Sequence, residues 1–237
     1  SEVAKKNNLI LIEDAAECLG STVKGSKVGS QSDSAIFSFC GNKVLTTGEG
    51  GAVVTNSKKI YEKIKLIRSH GRQDSNNYFQ NPSKSQYLSL GYNWRMSSLT
   101  AALGISQLNK LDKIIKMRQK NAKQLISKLA RFKEISILDP PSGYEHIYQM
   151  FTIKLNSKKI RDGLHTFLNK KRIFTKVYFF PIHLTEFYKK KFPNSGKSLS
   201  NTEKLSNQLL TLPLYPNMTN EEKQYLIESI SEFFEKV

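Results

Sequence analysis

A carboxylate and an amine follow two short apolar runs near the start of the chain. Asp14 comes soon after the run Leu9–Ile12, and Lys43 comes after a second β-prone run at 35–40. In an open α/β sheet, ligands bind at the edge where the strands end. A glycine-rich turn at 46–51 (TTGEGG) allows close backbone approach to a bound group. The two residues could form a structural ion pair or belong to a site in which the lysine amine is a nucleophile.

The apolar pattern around these residues predicts alternating strands and helices. Short runs at 9–12, 35–40 and 52–55 predict strands, and the first is expected to be buried on both faces of a parallel sheet. Helical periodicity follows at 57–68. The polar segment 71–95 is expected to be a long functional loop. This alternation predicts an α/β fold.

From Ser97 to about Phe132 the pattern is helical, and its length predicts two helices or one bent helix. We expect the apolar residues of this span to be buried: Leu99, Leu103, Ile105, Leu108, Leu111, Ile114, Ile115, Leu125 and Leu129. The sequence DPPSG at 139–143 then interrupts the pattern.

The remainder of the chain predicts a smaller α+β domain. We expect strands at 148–155 and 173–180, a helix at 158–171, and a terminal helix at 220–235 that begins with a capping box of Thr219 and Glu222. The predicted domains are therefore residues 1–133 and residues 134–237.

Composition excludes several classes of protein. The 237 residues are 38% hydrophobic, which is too apolar for a wholly disordered chain, and no apolar run approaches the roughly 18–20 residues that cross a bilayer. Two cysteines, Cys18 and Cys40, form neither a disulfide scaffold nor a metal site, so we expect reduced thiols in the cytoplasm and no metal. The formal charge of +17 permits nucleic-acid binding. A lysine-rich solvated surface or a basic cleft for a phosphorylated small molecule would give the same excess of positive charge.

Five segments carry a resemblance to a known family: IEDAAE (12–17), FSFCGNK (37–43), TTGEGGAVVTN (46–56), RSHG (68–71) and GYNWRMSSLTAALGISQL (91–108). In this order they resemble the DegT/DnrJ/EryC1/StrS family, pyridoxal-phosphate-dependent aminotransferases of nucleotide-linked keto-sugars. Within this family, the sequence of residues 37–51 is most similar to that of the GDP-perosamine synthases. The resemblance implies a fold-type-I transferase, with part of a large domain that has a mainly parallel sheet and a smaller α+β domain.

The resemblance also implies a role for several residues. Lys43 stands where the family has the lysine that holds pyridoxal phosphate covalently and then moves protons. Asp14 matches the carboxylate that keeps the cofactor's pyridine nitrogen protonated. Glu17 stands at a position facing the phenolic oxygen, where many members have Gln, and Ser38 matches a serine that binds the phosphate. Asn93 matches an asparagine that reaches the phosphate from the neighbouring subunit, which implies a homodimer with a shared active site.

Three further residues are expected on the substrate side. Arg95 follows Asn93, and structural stacking or an ion pair is its alternative role. Tyr178 and His183, in VYFFPIH at 177–183, resemble substrate-side residues of the small domain, although a histidine beside proline is more often structural. The implied reaction is a ping-pong transfer of the amino group from an amino acid, glutamate, to a nucleotide-diphospho-4-keto-6-deoxy-hexose.

Three alternatives remain at this stage. The N-terminal portion of the family, with its phosphate-binding turn and stacking aromatic, has no counterpart here, so the chain could be a fragment that binds the cofactor without completing catalysis. A sugar dehydratase of the same fold has histidine in place of the lysine, and Lys43 argues against it. A basic nucleic-acid-binding module is a third possibility, but the basic residues are spread through every predicted helix.

Overall fold

The structure is a computed structural model that describes residues 1–72, 87–138, 140–193 and 199–236. Contacts within the chain divide it into two units, residues 1–113 with 142–147 and residues 114–141 with 148–237. The predicted boundary at 133/134 lies later in the chain. The difference arises because Leu125 and Leu129, which precede that boundary, are buried in the core of the second unit.

In its described residues, the first unit contains short strands and three helices, followed by the start of a fourth. The elements are α1 (Glu2–Lys6), β1 (Ile12–Asp14), β2 (Thr22–Val23), β3 (Ser26–Lys27), β4 (Ser34–Ser38), β5 (Gly51–Val54), α2 (Lys58–Arg68), α3 (Ser98–Leu108), the first residues of α4 (Leu111–Leu129) and, from the later segment, β7 (Tyr144–Glu145). β6 (Ile135–Ile137) belongs to the second unit.

A sheet in the order β1-β4-β5 positions the residues singled out by the sequence. β1 and β4 are parallel, with Asp14 opposite Ile36, and β4 and β5 are antiparallel, with Ser38 opposite Gly51. Because parallel strands end at the same edge of a sheet, Asp14 and Ser38, the last residues of β1 and β4, come to one edge. The predicted α/β class is confirmed, with a sheet of mixed direction.

The first apolar run does not form the buried strand that the pattern predicts. In the run Leu9–Ile12, Ile12 alone belongs to β1, and Ile10 is 76% exposed. In the described part of the chain β1 pairs with β4 on one side, so it is an edge strand rather than a central one. The prediction of burial on both faces was therefore wrong.

The long helical span forms two helices, α3 and α4, which is the first of the two predicted options. On α4, Leu111, Ile115, Leu125 and Leu129 are buried, and Ile114 is half-buried. The apolar residues of α3 are exposed, which contradicts the expected burial: Leu99, Leu103, Ile105 and Leu108. Periodicity identifies apolar positions on a helix but not whether another element covers them.

The second unit is an α+β arrangement around one core. Its further elements are β8 (Phe151–Leu155), α5 (Lys158–Lys170), a short 3-10 helix (Ile182–Leu184), α6 (Glu186–Lys191), α7 (Ser200–Ser206), β9 (Leu209–Leu212) and α8 (Asn220–Phe234). The sheet has the order β6-β8-β9 and is antiparallel. Alternate residues of β8 point into the core, where Leu164 of α5 and Ile230 of α8 are fully buried.

Two predictions for this unit have clear outcomes. The capping box is confirmed: the Thr219 hydroxyl accepts from the Glu222 backbone N–H, and the Glu222 carboxylate accepts from the Thr219 backbone N–H. The predicted strand at 173–180 is wrong, since this segment forms an isolated bridge between Lys176 and Thr211. The segment 209–212 pairs with β8 as β9 instead.

Candidate active site

Lys43 and Glu17 meet at the edge of the first sheet. Lys43 Nζ lies 2.5 Å from Glu17 Oε1. The lysine side chain is 13% exposed and the glutamate 33%. Lys43 is placed by a turn after β4, in which its backbone N–H donates to the Cys40 carbonyl. The sheet edge therefore holds a shielded amine in direct contact with a carboxylate.

Asp14 lies one turn before Glu17, at the end of β1. Its Oδ1 accepts a hydrogen bond of 3.1 Å from the backbone N–H of Ala16, which is the local geometry expected of an Asx turn. The next residue, Ala15, continues the strand pairing by donating to the Ile36 carbonyl. This turn leads the chain from Asp14 to Glu17 while the Asp14 side chain stays exposed at the edge.

The pKa of the Cys18 thiol is affected by the charged side chains at this sheet edge. Burial raises the pKa of the Cys18 thiol, and the carboxylates of Glu17, Asp14 and Glu13 raise it further, in that order, whereas the Lys43 ammonium lowers it. The group remains a thiol at neutral pH and is a weak nucleophile in that form. Asp14, Glu17 and Lys43 therefore lie within electrostatic reach of one side chain.

Ser38 and the glycine-rich turn lie at the end of β4. The Ser38 hydroxyl accepts from the Cys40 backbone N–H at 3.3 Å, the local bond that competes with a ligand-binding role. The turn folds back on the strand, since Phe39 donates to the Gly50 carbonyl. Gly50 has φ +140°, and a Cβ there would come within 2.9 Å of the Met96 methyl. The positive φ favours glycine at this position, whereas the Met96 methyl is the end of a flexible side chain that can move.

Asn93 and Arg95 belong to a second group, where the segment 91–95 pairs with 68–71. Asn93 forms a bridge with Ser69. Arg95 Nε donates to Asn93 Oδ1 at 3.1 Å, and an Arg95 terminal nitrogen lies 3.4 Å from His70 Nε2. These contacts are neither the stacking nor the ion pair named as the alternative role of Arg95, so its substrate role stays a prediction. They give His70 a neighbour that its sequence position did not indicate.

Tyr178 and His183 lie in the second unit. His183 Nε2 is 3.0 Å from Glu203 Oε1, and the histidine side chain is 10% exposed. The Lys176 ammonium lies 5.5 Å from the Tyr178 ring centroid, within cation–π range. Sequence reasoning missed Glu203, because no periodicity or motif links a residue of α7 to the segment 177–183. A substrate role for Tyr178 and His183 stays a prediction.

The donor set defines what the sheet edge can bind. An amine suits a carbonyl group, an exposed carboxylate suits a protonated ring nitrogen, and a hydroxyl suits an oxyanion. Lys43, Asp14 and Ser38 supply these three groups. Among the residues that the structure describes, no group of three or more His, Cys, Asp and Glu side chains is arranged to hold a metal ion. Within the same residues, every helix is too short or too polar to cross a bilayer.

The fold is that of the fold-type-I aminotransferases. A solved structure titled as Helicobacter pylori PseC, an aminotransferase of pseudoaminic acid biosynthesis, matches with a TM-score of 0.90 and 28% identity, over 100% of this chain and 62% of that one. The putative sugar aminotransferase Spr1654 of Streptococcus pneumoniae, solved in its PMP form, matches with a TM-score of 0.86 and 25% identity, over 100% and 62%.

Similarity of sequence identifies the family within this class of fold. The DegT/DnrJ/EryC1/StrS aminotransferase family matches residues 1–231, and the chain belongs to that family. A GDP-perosamine synthase of Escherichia coli O157:H7 is 35% identical, over 98% of this chain and 60% of the relative. A UDP-4-amino-4,6-dideoxy-N-acetyl-beta-L-altrosamine transaminase of Campylobacter jejuni is also 35% identical, over 100% and 62%. The chain thus spans about three-fifths of the length of these relatives.

Proposed function

We propose that the protein is a pyridoxal-phosphate-dependent aminotransferase that transfers an amino group from an amino acid to a nucleotide-diphospho-4-keto-6-deoxy-hexose. The observation that carries the proposal is the Lys43 amine held at the sheet edge beside Glu17 and Asp14, in a chain of this family. The relatives named above supply the nucleotide-sugar substrate class. Structures of a neighbour in PLP and PMP forms supply the cofactor.

Each residue at the edge has a chemical task in this proposal. Pyridoxal phosphate, when bound, supplies a ring that accepts electrons from the bond broken at the substrate carbon. The Asp14 carboxylate holds the proton on the ring nitrogen, and Ser38 donates its hydroxyl to the phosphate. The Lys43 amine bonds to the cofactor and afterwards removes and returns the proton at the substrate carbon. Its 13% exposure limits access of water to the amine.

We place Arg95, Tyr178 and His183 on the substrate side and assign glutamate as the amino donor, in two half-reactions. The +17 formal charge favours approach of a diphosphate-linked sugar. Both cysteines are free, which fits a reducing compartment, the cytoplasm. The charge argument predicts that substrate capture weakens as ionic strength rises.

The proposed reaction is tested in two stages on the purified protein. Addition of pyridoxal phosphate is expected to give a protein-bound visible absorbance, and glutamate is expected to convert it to the pyridoxamine spectrum. Nucleotide-linked 4-keto-6-deoxy sugars are then expected to restore the first spectrum in a single turnover. Absence of any bound absorbance would overturn the assignment of the cofactor site.

A second candidate is binding of the cofactor without transamination. The observation that favours it is that the chain spans about 60% of the length of its relatives. Bound absorbance that neither glutamate nor another amino acid converts would support this second candidate over the first. Conversion by glutamate, followed by recovery with a keto-sugar nucleotide, would exclude it.

We further propose that two copies of the protein pair through α3 and complete the site with Asn93. Leu99 and Ile105 on α3 are 86% and 63% exposed, and Trp94, stacked on Tyr92, is 67% exposed. A helix so apolar and so exposed stabilises an interface when it is covered. The Asn93–Ser69 bridge lies beside this surface in sequence, so pairing there favours sharing of Asn93.

Leu103→Glu is expected to weaken the homodimer. Burial of a leucine side chain contributes about 1.5–3 kcal/mol, so its replacement by a charged residue raises the dissociation constant by about tenfold or more. Sedimentation equilibrium measures the change, with Lys59→Gln on exposed α2 as a control of equal charge change. If Leu103→Glu lowers the stability of the first unit without changing the mass, α3 is covered by another part of a longer chain, and this interface is wrong.

A further inference from the structure

We propose that Glu17 is the base that frees the Lys43 amine for its covalent attachment to pyridoxal phosphate. This inference rests on the proposed function, because it concerns how that cofactor is loaded. Glu17 would thus act on the reacting nitrogen itself. The Lys43–Glu17 contact of 2.5 Å is the juxtaposition that carries it.

The two neighbouring carboxylates each accept from a backbone N–H, and of the three carboxylates it is Glu17 that contacts Lys43. Asp14 Oδ1 accepts from the Ala16 backbone N–H, and Glu13 Oε2 accepts from the Gly29 backbone N–H at 2.8 Å. Both therefore face backbone donors of their own segment or of the neighbouring turn. The Glu17 carboxylate, in contrast, contacts the lysine amine directly.

Other titratable groups also face this corner of the first unit. Cys18 follows Glu17, and its raised pKa keeps it a neutral thiol near pH 7. In the turn after β4, Cys40 Sγ lies 3.7 Å from Glu49 Oε1. Glu49 thus has a thiol as its neighbour, whereas Glu17 has the amine. The charges of Asp14 and Glu13 act on the neighbouring Cys18 thiol, and neither carboxylate makes a direct contact with the Lys43 amine that the structure records.

An ammonium group has no lone pair, so Lys43 cannot attack an aldehyde until it loses a proton. Glu17 takes that proton, and the freed nitrogen forms a bond to the aldehyde carbon. The carbonyl oxygen leaves as water, with the proton that Glu17 held and a second proton from the nitrogen. The ammonium and aldehyde become a protonated C=N link and water, and Glu17 ends as a carboxylate.

This proton path makes a specific prediction for the pH dependence of loading. Transfer within the Glu17–Lys43 pair changes no net protonation, so the loading rate should be nearly independent of pH near neutrality. In Glu17→Gln the amide still accepts a hydrogen bond but takes no proton. The proton must then leave to solvent, and the rate should rise by about tenfold per pH unit as a single proton is released.

The experiment mixes cofactor-free protein with pyridoxal phosphate in a stopped-flow instrument at a series of pH values. Wild-type protein should give a flat profile. Glu17→Gln should be slower by about 10²-fold at pH 7, at the low end for acid–base catalysis, and should show the steep profile. The free cofactor titrates equally in both experiments, so the difference between the slopes is the quantity tested. Glu49→Gln, with the same charge change at the same sheet edge, should keep the flat profile.

A second measurement does not depend on how Glu17→Gln folds. In Glu17→Ala, added acetate should restore loading in proportion to its concentration, whereas chloride at equal ionic strength should not. Equal slopes in wild type and Glu17→Gln, or the absence of acetate rescue, would overturn the role of Glu17. If wild-type protein forms no C=N link to the cofactor that borohydride can reduce, the proposed function is overturned instead.

Discussion

Replacement of Lys43 by alanine is expected to abolish covalent retention of pyridoxal phosphate and to lower transamination by more than the 10²- to 10⁴-fold that acid–base catalysis alone contributes, roughly. The alanine methyl group can neither bond to the aldehyde nor move a proton. Both tasks proposed for this residue therefore disappear together. The loss should be visible as the disappearance of the protein-bound visible absorbance after gel filtration.

The decisive measurement locates the covalent link. Wild-type protein loaded with cofactor is reduced with borohydride, digested and examined by mass spectrometry, and the phosphopyridoxyl group should lie on the peptide that contains Lys43. Lys27→Ala serves as the matched control, because Lys27 is exposed in the same unit and donates to the Gly20 carbonyl. That variant should retain the label and the absorbance.

Two outcomes would contradict the assignment of Lys43. The label could lie on another lysine of the chain, or Lys43→Ala could keep an unchanged visible spectrum. Either outcome would mean that the Lys43–Glu17 contact is a structural ion pair that is partly shielded from solvent. The unfolding curve of the cofactor-free variant distinguishes these two outcomes from a simple loss of folding.

The site edge was predictable from the sequence because it depends on local spacing and on one rule of sheet geometry. Asp14 follows one β-prone run and Lys43 follows the next, and parallel strands bring their ends together. In the structure Lys43 pairs with Glu17 rather than with Asp14, the ion-pair partner that the sequence suggested. Its exact partner choice was not predictable, because Asp14 and Glu13 offer the same chemistry within four residues.

The predictions that were wrong concern contacts between segments that are far apart in the chain. The exposed faces of α3 and β1 are apolar by sequence, yet whether they are covered is set by elements that periodicity does not describe. The segment 173–180 has strand-forming residues, but 209–212 occupies the place beside β8. The His183–Glu203 pair likewise joins two segments that share no pattern. Most of segment 71–95, residues 73–86, lies outside the described residues.

Gly91→Ala is expected to destabilise the first unit by about 3 kcal/mol, the upper end for overpacking. A Cβ on Gly91 would overlap the backbone nitrogen of Gly71 and the carbonyl carbon of His70. These are backbone atoms, which cannot rotate away as a side chain can. The two segments are also joined by hydrogen bonds from Leu88 to Gly71 and from His70 to Tyr92, so relief of the overlap would cost backbone pairing.

The effect should be local and should reach the site through Asn93 and Arg95, which lie on the displaced segment. Hydrogen exchange is expected to accelerate at 67–72 and 88–95 in Gly91→Ala, while the core of the second unit keeps its protection. Gly41→Ala is the control, since a Cβ there meets the Gly48 carbonyl at an ordinary 3.7 Å. If Gly91→Ala unfolds at the same denaturant concentration as Gly41→Ala, the two segments do not pack backbone against backbone. Asn93 would then lack the rigid support that its proposed role in a shared site requires.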